Sequence, residues 1–191
     1  MFATTPVIGA LRIIYDLWAA WAASWVLASV WSARTAVRMP LGATIAYQVP
    51  QFFGAVLLLA PFARFWWPVA EPVRWAMTGL VAAGFAFCWW ARLHLGRLWS
   101  GAVVRKDGHH IVDTGPYALV RHPIYTGLIL SGFATAIARG GLIPLAGASL
   151  LVVAWSIKAR LEERLLRAEL GAAAYDTYAQ RTPMLVPFTR V

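Results

Sequence analysis

Five apolar stretches, each near the length that crosses a bilayer, leave this chain few folds to adopt. A membrane-crossing helix needs roughly 20 mainly apolar residues. Lipid offers the backbone no hydrogen-bond partners, so a spanning segment has to satisfy its own. The candidates are residues 8–32, 41–62, 75–95, 123–138 and 142–157. The chain is 60% hydrophobic and 13% charged, whereas a soluble domain is roughly 45–50% apolar and about 25% charged. The fold class this predicts is all-α: a polytopic integral membrane protein with five transmembrane helices. It forms a single domain over 1–191, with N-terminal helices in 1–89 and a cofactor-binding, catalytic part in 90–191.

Local signals punctuate the stretches. Trp18, Trp21 and Trp25 fall on one helical face, which reads as a lipid-facing or packing stripe rather than a ligand site. Pro50 predicts a kink in the second stretch, flanked by Gln48 and Gln51, which commonly bridge neighbouring helices in membranes. Trp31, Trp66, Trp67 and Trp75 sit near stretch ends, as interfacial anchors do. Gly96 is a helix stop, and Gly140-Gly141 makes a tight turn. The fifth stretch has no breaker before Gly171, so one long helix is expected to protrude from the membrane as a charged segment. Cys88 is the lone cysteine and reads as a small buried hydrophobe. The N-terminus lacks a cationic leader, so the first helix is expected to remain as an anchor.

The formal net charge is +9. With five spans, one side carries 13 of the 17 basic residues and the other only Arg12, Arg64, Arg74 and Arg139. The positive-inside rule then puts the long connector and the C-terminus in the cytoplasm and the N-terminus outside. Topology accounts for the basic excess, and no nucleic-acid partner is expected.

The longest polar interruption is HHIVDTGPYALVRHPIYTG, residues 109–127. Gly115-Pro116 marks a turn. Pro123 suits the first position of a helix, whose free N–H groups and positive end seat an anion. Arg121 adds a forked donor for the same anion. The fourth and fifth helices should be antiparallel neighbours, which brings Arg121, His122 and Tyr125 near Lys158, Glu162 and Glu163. Alternatively, Lys158–Glu162 and Glu163–Arg167 are ordinary solvated pairs along one helix. There is no GxGxxG, Walker A, GxSxG or HExxH motif and no cysteine cluster, so a soluble-type dinucleotide fold is excluded and no metal site is expected.

The run GPYALVRHPIYTG, followed by Glu162-Glu163, Tyr175, Tyr178 and a proline-containing tail, resembles the isoprenylcysteine carboxyl methyltransferase family and is similar to the related phospholipid N-methyltransferases. The resemblance covers roughly residues 90–188. It implies a membrane methyltransferase using S-adenosyl-L-methionine on the cytoplasmic side, with a lipophilic substrate entering from the bilayer among membrane lipids. Matched residue by residue, it implies cofactor contacts at His109, His110, Ile111, Val112, Tyr117, Arg121, His122, Pro123, Ile124, Tyr125 and Glu162. Glu163 is the neighbouring acidic choice. Lys158 corresponds to a basic substrate-contacting position, with Arg160 as the fallback; the family often has Arg there. The implied acceptor is a carboxylate of the isoprenylcysteine type, with a phospholipid amine or a small thiol as alternatives. Two other classes compete: an NADPH-dependent membrane lipid or sterol reductase, and a non-enzymatic membrane subunit or transporter.

Overall fold

The computed structural model describes residues 5–30, 35–38, 40–60, 67–96, 99, 104–106 and 111–189. Its helices are α1 (Thr5–Ser29), α2 (Leu41–Leu59), α3 (Glu71–Leu95), α4 (Pro116–Leu119), α5 (Pro123–Arg139), α6 (Leu142–Leu170) and α7 (Ala172–Arg181). Strands β1 (Thr35–Arg38) and β2 (Val104–Lys106) pair antiparallel, with an irregularity between Thr35 and Val37. This ribbon was not anticipated. It ties the α1–α2 link to the connector.

Among the described residues, α2, α3 and α6 are long and apolar enough to cross a membrane. The predicted fifth helix does run unbroken from the apolar stretch into the charged one. Gly171, at φ +92°, ends α6 and starts α7. α3 starts a turn earlier than predicted, because Pro72 opens it and Glu71 complements its positive end. α2 is helical throughout with Pro50 inside it.

The helices pack in the spatial order α1, α3, α5, α6, α2. α5 lies in the middle and is the most buried, as its Gly, Ala, Ser and Thr residues require. Two of the contacts are backbone-close. A Cβ on Gly127 of α5 would lie 2.5 Å from the Gly84 carbonyl of α3 and 2.7 Å from Cys88 Sγ. A Cβ on Gly147 of α6 would lie 2.5 Å from the Leu58 amide nitrogen and 2.8 Å from the Gly54 carbonyl of α2. Small residues at these points allow the close approach typical of membrane helices.

The tryptophan stripe of α1 faces inward. Trp18 and Trp21 pack on Phe85, and Trp18 Nε1 donates to Thr135 Oγ1 at 3.0 Å. Packing therefore accounts for the stripe. Trp67 and Trp75 are exposed, as anchors would be, while Trp31 and Trp66 lie outside the described residues.

Buried arginines hold the helix ends. Arg92 donates to the carbonyls of Ala28 (2.9 Å), near the end of α1, and Gly96 (2.5 Å). Arg139 donates to the carbonyls of Leu58 and Ala60 at the end of α2. Arg74 Nε reaches the Ala138 carbonyl at 3.2 Å. The last carbonyls of a helix lack intrahelical partners and carry its negative end. A guanidinium satisfies both needs where water is scarce.

Candidate functional site

The polar side chains gather at one end of the bundle, where α5 begins and α6 turns from apolar to charged. The connector leads into this end through Gly115, whose φ of +58° favours glycine. A Cβ there would meet the His94 ring at 2.8 Å. His94 Nε2 stands 2.9 Å from Thr114 Oγ1, and its ring stacks on Tyr117. The short α4 then buries Tyr117 beneath the start of α5. Burial first, and the charge of Glu162 second, raise the Tyr117 hydroxyl above its ordinary range, so it stays neutral.

His122 is the N-cap of α5, and no side chain caps that end. Instead the C-terminal tail lies along it. The amides of Arg121 and His122 donate to the carbonyls of Pro183 (2.9 Å) and Met184 (3.1 Å), and Thr126 Oγ1 donates to the Leu185 carbonyl at 2.6 Å. Tyr178 on α7 donates to the Tyr117 carbonyl at 2.7 Å. At the rim, Arg181 pairs with Asp113 at 2.5 Å.

The core of the cluster joins α5 to α6. Arg121 Nε donates to Glu163 Oε1 at 2.7 Å, and its Nη1 donates to the carbonyls of Ala179 and Thr182. His122 sits between two carboxylates: Nε2 is 3.1 Å from Glu163 Oε1, and Nδ1 is 3.5 Å from Glu162 Oε2. Only an imidazolium donates from both nitrogens. Burial alone would lower the His122 pKa, but its bonds to Glu162 and Glu163 outweigh burial and raise it above the ordinary value. Tyr125 donates to Glu162 Oε1 at 2.6 Å and stacks on His122 at 5.5 Å between ring centres.

Lys158 lies one turn before Glu162 and is only 7% exposed. Its ammonium stands 5.4 Å from the centre of the Tyr125 ring and 5.4 Å from that of Tyr47 on α2. Tyr47 was not predicted; a single tyrosine in an apolar stretch carries no signal of its own.

The structure therefore brings together Tyr117, Arg121, His122, Tyr125, Lys158, Glu162 and Glu163. Pro123 is buried at the first position of α5, and Ile124 is half-buried beside it. Ile111 and Val112 are half-buried in the connector. Arg160 is on the exposed side of α6, two residues and about 200° from Lys158. His109 and His110 lie outside the described residues. Glu163 pairs across helices with Arg121, whereas Arg167 pairs with Asp176 of α7 at 2.6 Å. Arg121 donates to Glu163 and to the carbonyls at the end of α7, and Glu163 also takes the His122 ring, so the two hold the cluster's shape. Lys158 is buried, and Glu162, half-buried one turn further along α6, accepts from Tyr125 and faces His122.

Comparison with known proteins bears on the same region. Residues 77–168 match the model of the isoprenylcysteine carboxyl methyltransferase family. The chain is 31% identical over 161 residues to methanethiol S-methyltransferase 2 of Bradyrhizobium diazoefficiens, covering 70% of this chain and 56% of that protein. It is 34% identical over 89 residues to protein-S-isoprenylcysteine O-methyltransferase B of Arabidopsis thaliana, covering 44% of each. It is also 30% identical over 99 residues to the nickel-cobalt-cadmium resistance protein NccN of Alcaligenes xylosoxydans xylosoxydans, covering 49% of this chain and 44% of that protein. The chain thus spans about half the length of the curated relatives it matches. The segment that contributes α5, most of α3 and nearly all of α6, residues 77–168, belongs to the isoprenylcysteine carboxyl methyltransferase family.

Proposed function

We propose that this protein is a multi-pass membrane methyltransferase that uses S-adenosyl-L-methionine to methylate an anionic, lipophilic acceptor. In this reading α1 and α5 also cross the bilayer, giving five spans, and the polar end faces the cytoplasm. The observation that carries the reading is the buried Lys158–Glu162–Tyr125–His122 cluster, built inside the segment that matches a methyltransferase family.

The residues present fit this cofactor. The start of α5, which no side chain caps and along which the tail lies, turns its positive end toward this region and suits the cofactor's carboxylate. Glu162 suits an ammonium or ribose hydroxyls. Tyr117, Ile111 and Val112 offer aromatic and apolar surface for the adenine.

When bound, the cofactor supplies a methyl group on a sulfonium already activated for in-line displacement. The protein's task is then alignment and exclusion of water. Arg121 and Glu163 clamp the start of α5 to α6 and α7. Glu162, fixed by Tyr125 and His122, keeps its carboxylate in one direction. Lys158 holds the acceptor's negative charge in a dry setting. In this scheme Lys158 and Glu162 touch the reactants, and Glu163 positions the others.

The first acceptor reading is a carboxylate of the isoprenylcysteine type. A small thiol is the second. It is favoured by the single compact ammonium at Lys158, which cannot grip a carboxylate with two parallel bonds as arginine does. It is also favoured by the methanethiol methyltransferase among the relatives.

Calorimetric titration of the detergent-purified chain with S-adenosylmethionine and, in parallel, NADPH tests the proposal. Saturable binding of S-adenosylmethionine is expected. Binding of NADPH alone would point to the reductase class, and binding of neither by folded protein to a non-enzymatic subunit.

A further inference from the structure

Lysine is rare in this chain. Of 17 basic residues, only Lys106 and Lys158 are lysines. One of the two is buried among tyrosines at the centre of the cluster. The buried arginines, Arg74, Arg92 and Arg139, donate to carbonyls at helix ends. At Lys158 the chain has a compact point charge with two ring faces near it.

One of those faces comes from outside the family segment. Tyr47 belongs to α2, and the family match begins at residue 77. It is 2% exposed. The buried residues of α2 are Tyr47, Gly54 and Leu58, spaced seven and four apart, so they form one face. That face meets α6 through the Gly54–Gly147 contact. The close backbone approach at the glycines is what lets the Tyr47 ring reach Lys158, roughly two turns further along.

We infer that Tyr47 is a positioning residue of the acceptor side: its ring, opposing that of Tyr125, holds the Lys158 ammonium in one place and shields it from water. Both ring centres are 5.4 Å from Nζ, within the range of a cation–π contact, which strengthens when the cation is desolvated. The role in acceptor handling rests on the methyltransferase reading, and the placement of the ammonium does not. Through this residue α2 acquires a part in the site.

The test compares wild-type protein with Tyr47→Phe and Tyr47→Leu in detergent, using brief acylation by a water-soluble N-hydroxysuccinimide ester. Mass spectrometry reads labelling at Lys158 against Lys106 in the same molecule. The expected result is a Lys158:Lys106 ratio about tenfold higher in Tyr47→Leu and within about twofold of wild type in Tyr47→Phe, because phenylalanine keeps the ring face. An unchanged ratio in Tyr47→Leu overturns the inference. An equal rise in both variants also overturns it, since the hydroxyl rather than the ring would then be responsible. If Tyr47→Leu does not fold, Tyr47→Met fills the same space with an adaptable chain and gives the same decision.

A kinetic arm reads the acceptor role with a farnesylated cysteine and a short alkanethiol as probes. In Tyr47→Leu, KM for the acceptor that wild type uses should rise about tenfold, with S-adenosylmethionine affinity unmoved and Tyr47→Phe restoring KM. A fall in cofactor affinity instead would assign Tyr47 a merely structural role. If wild type methylates neither probe and binds no cofactor, the functional reading falls, and the labelling ratio still decides the placement.

Discussion

Arg121 and Glu163 stand 42 residues apart in sequence and 2.7 Å apart in space, and that pair fastens the start of α5 to α6. The guanidinium is 9% exposed and the carboxylate 19%. Removing Arg121 takes one of two cationic partners from a part-buried carboxylate, leaving His122, at about 1.5–3 kcal/mol. Arg121→Ala should therefore lower the melting temperature in detergent and weaken S-adenosylmethionine binding together. Arg121→Lys should recover little, because lysine lacks the fork that reaches Glu163 and two carbonyls at once. Arg181→Ala, which breaks the exposed Arg181–Asp113 pair, is the control and should cost about 1 kcal/mol or less. Equal melting shifts for Arg121→Ala and Arg181→Ala would refute the clamp.

His122 makes stability depend on pH in a definite direction. Its folded pKa is raised above the unfolded value by two carboxylates. The protonated form is favoured in the folded state, so the contribution is complete below the ordinary histidine value of about 6.5. It is lost as pH rises through the raised folded value. Melting curves from acid to alkaline pH should show wild type losing stability across that window. His122→Gln should lack the step, and a step that survives in His122→Gln belongs to another group.

Glu162 is predicted to act through its charge. Glu162→Gln keeps an acceptor oxygen for Tyr125 but removes the carboxylate. Hydrogen bonds to charged groups are worth about 1.5–3 kcal/mol, so affinity for S-adenosylmethionine should fall roughly ten- to hundredfold. Glu162→Ala should lose more, since it also strands the Tyr125 hydroxyl. Calorimetry on both variants decides; intact binding and methyl transfer in Glu162→Ala would show that the site is misassigned.

Two glycines should tolerate no side chain. Gly127→Ala and Gly147→Ala each drive a Cβ against backbone atoms of the neighbouring helix. Such overpacking typically costs about 1–3 kcal/mol. Thermal melts should register both. Gly147→Ala should in addition raise acylation at Lys158, because it pushes α2, and with it Tyr47, away from α6.

Much of the arrangement is legible before any coordinates. Pro123, Gly140 and Gly171 punctuate the chain where α5 and α6 begin and end, and antiparallel packing of those helices brings His122 and Tyr125 to Glu162. Local spacing misleads where a residue has two possible partners. Glu163 precedes Arg167 by four residues, yet Arg167 turns to Asp176 and Glu163 crosses to Arg121. The helix α7 is short and weakly patterned, and it owes its place to Tyr175, Tyr178 and the bonds to Arg121. Tyr47 is invisible for a different reason: its importance depends on which helix α2 packs against, and no motif records that.

The arginine clasps at the helix ends bear on how the protein enters the membrane. In the proposed five-span topology, Arg92 and Arg121 would belong to the more basic side, and Arg74 and Arg139 to the less basic one. Setting these four aside would leave 11 basic residues against 2, a steeper asymmetry for the positive-inside rule to act on. Under that topology, recoding the exposed Arg160 and Arg164 should bear on orientation without loosening the bundle, while recoding Arg92 or Arg139 should loosen it without turning it over.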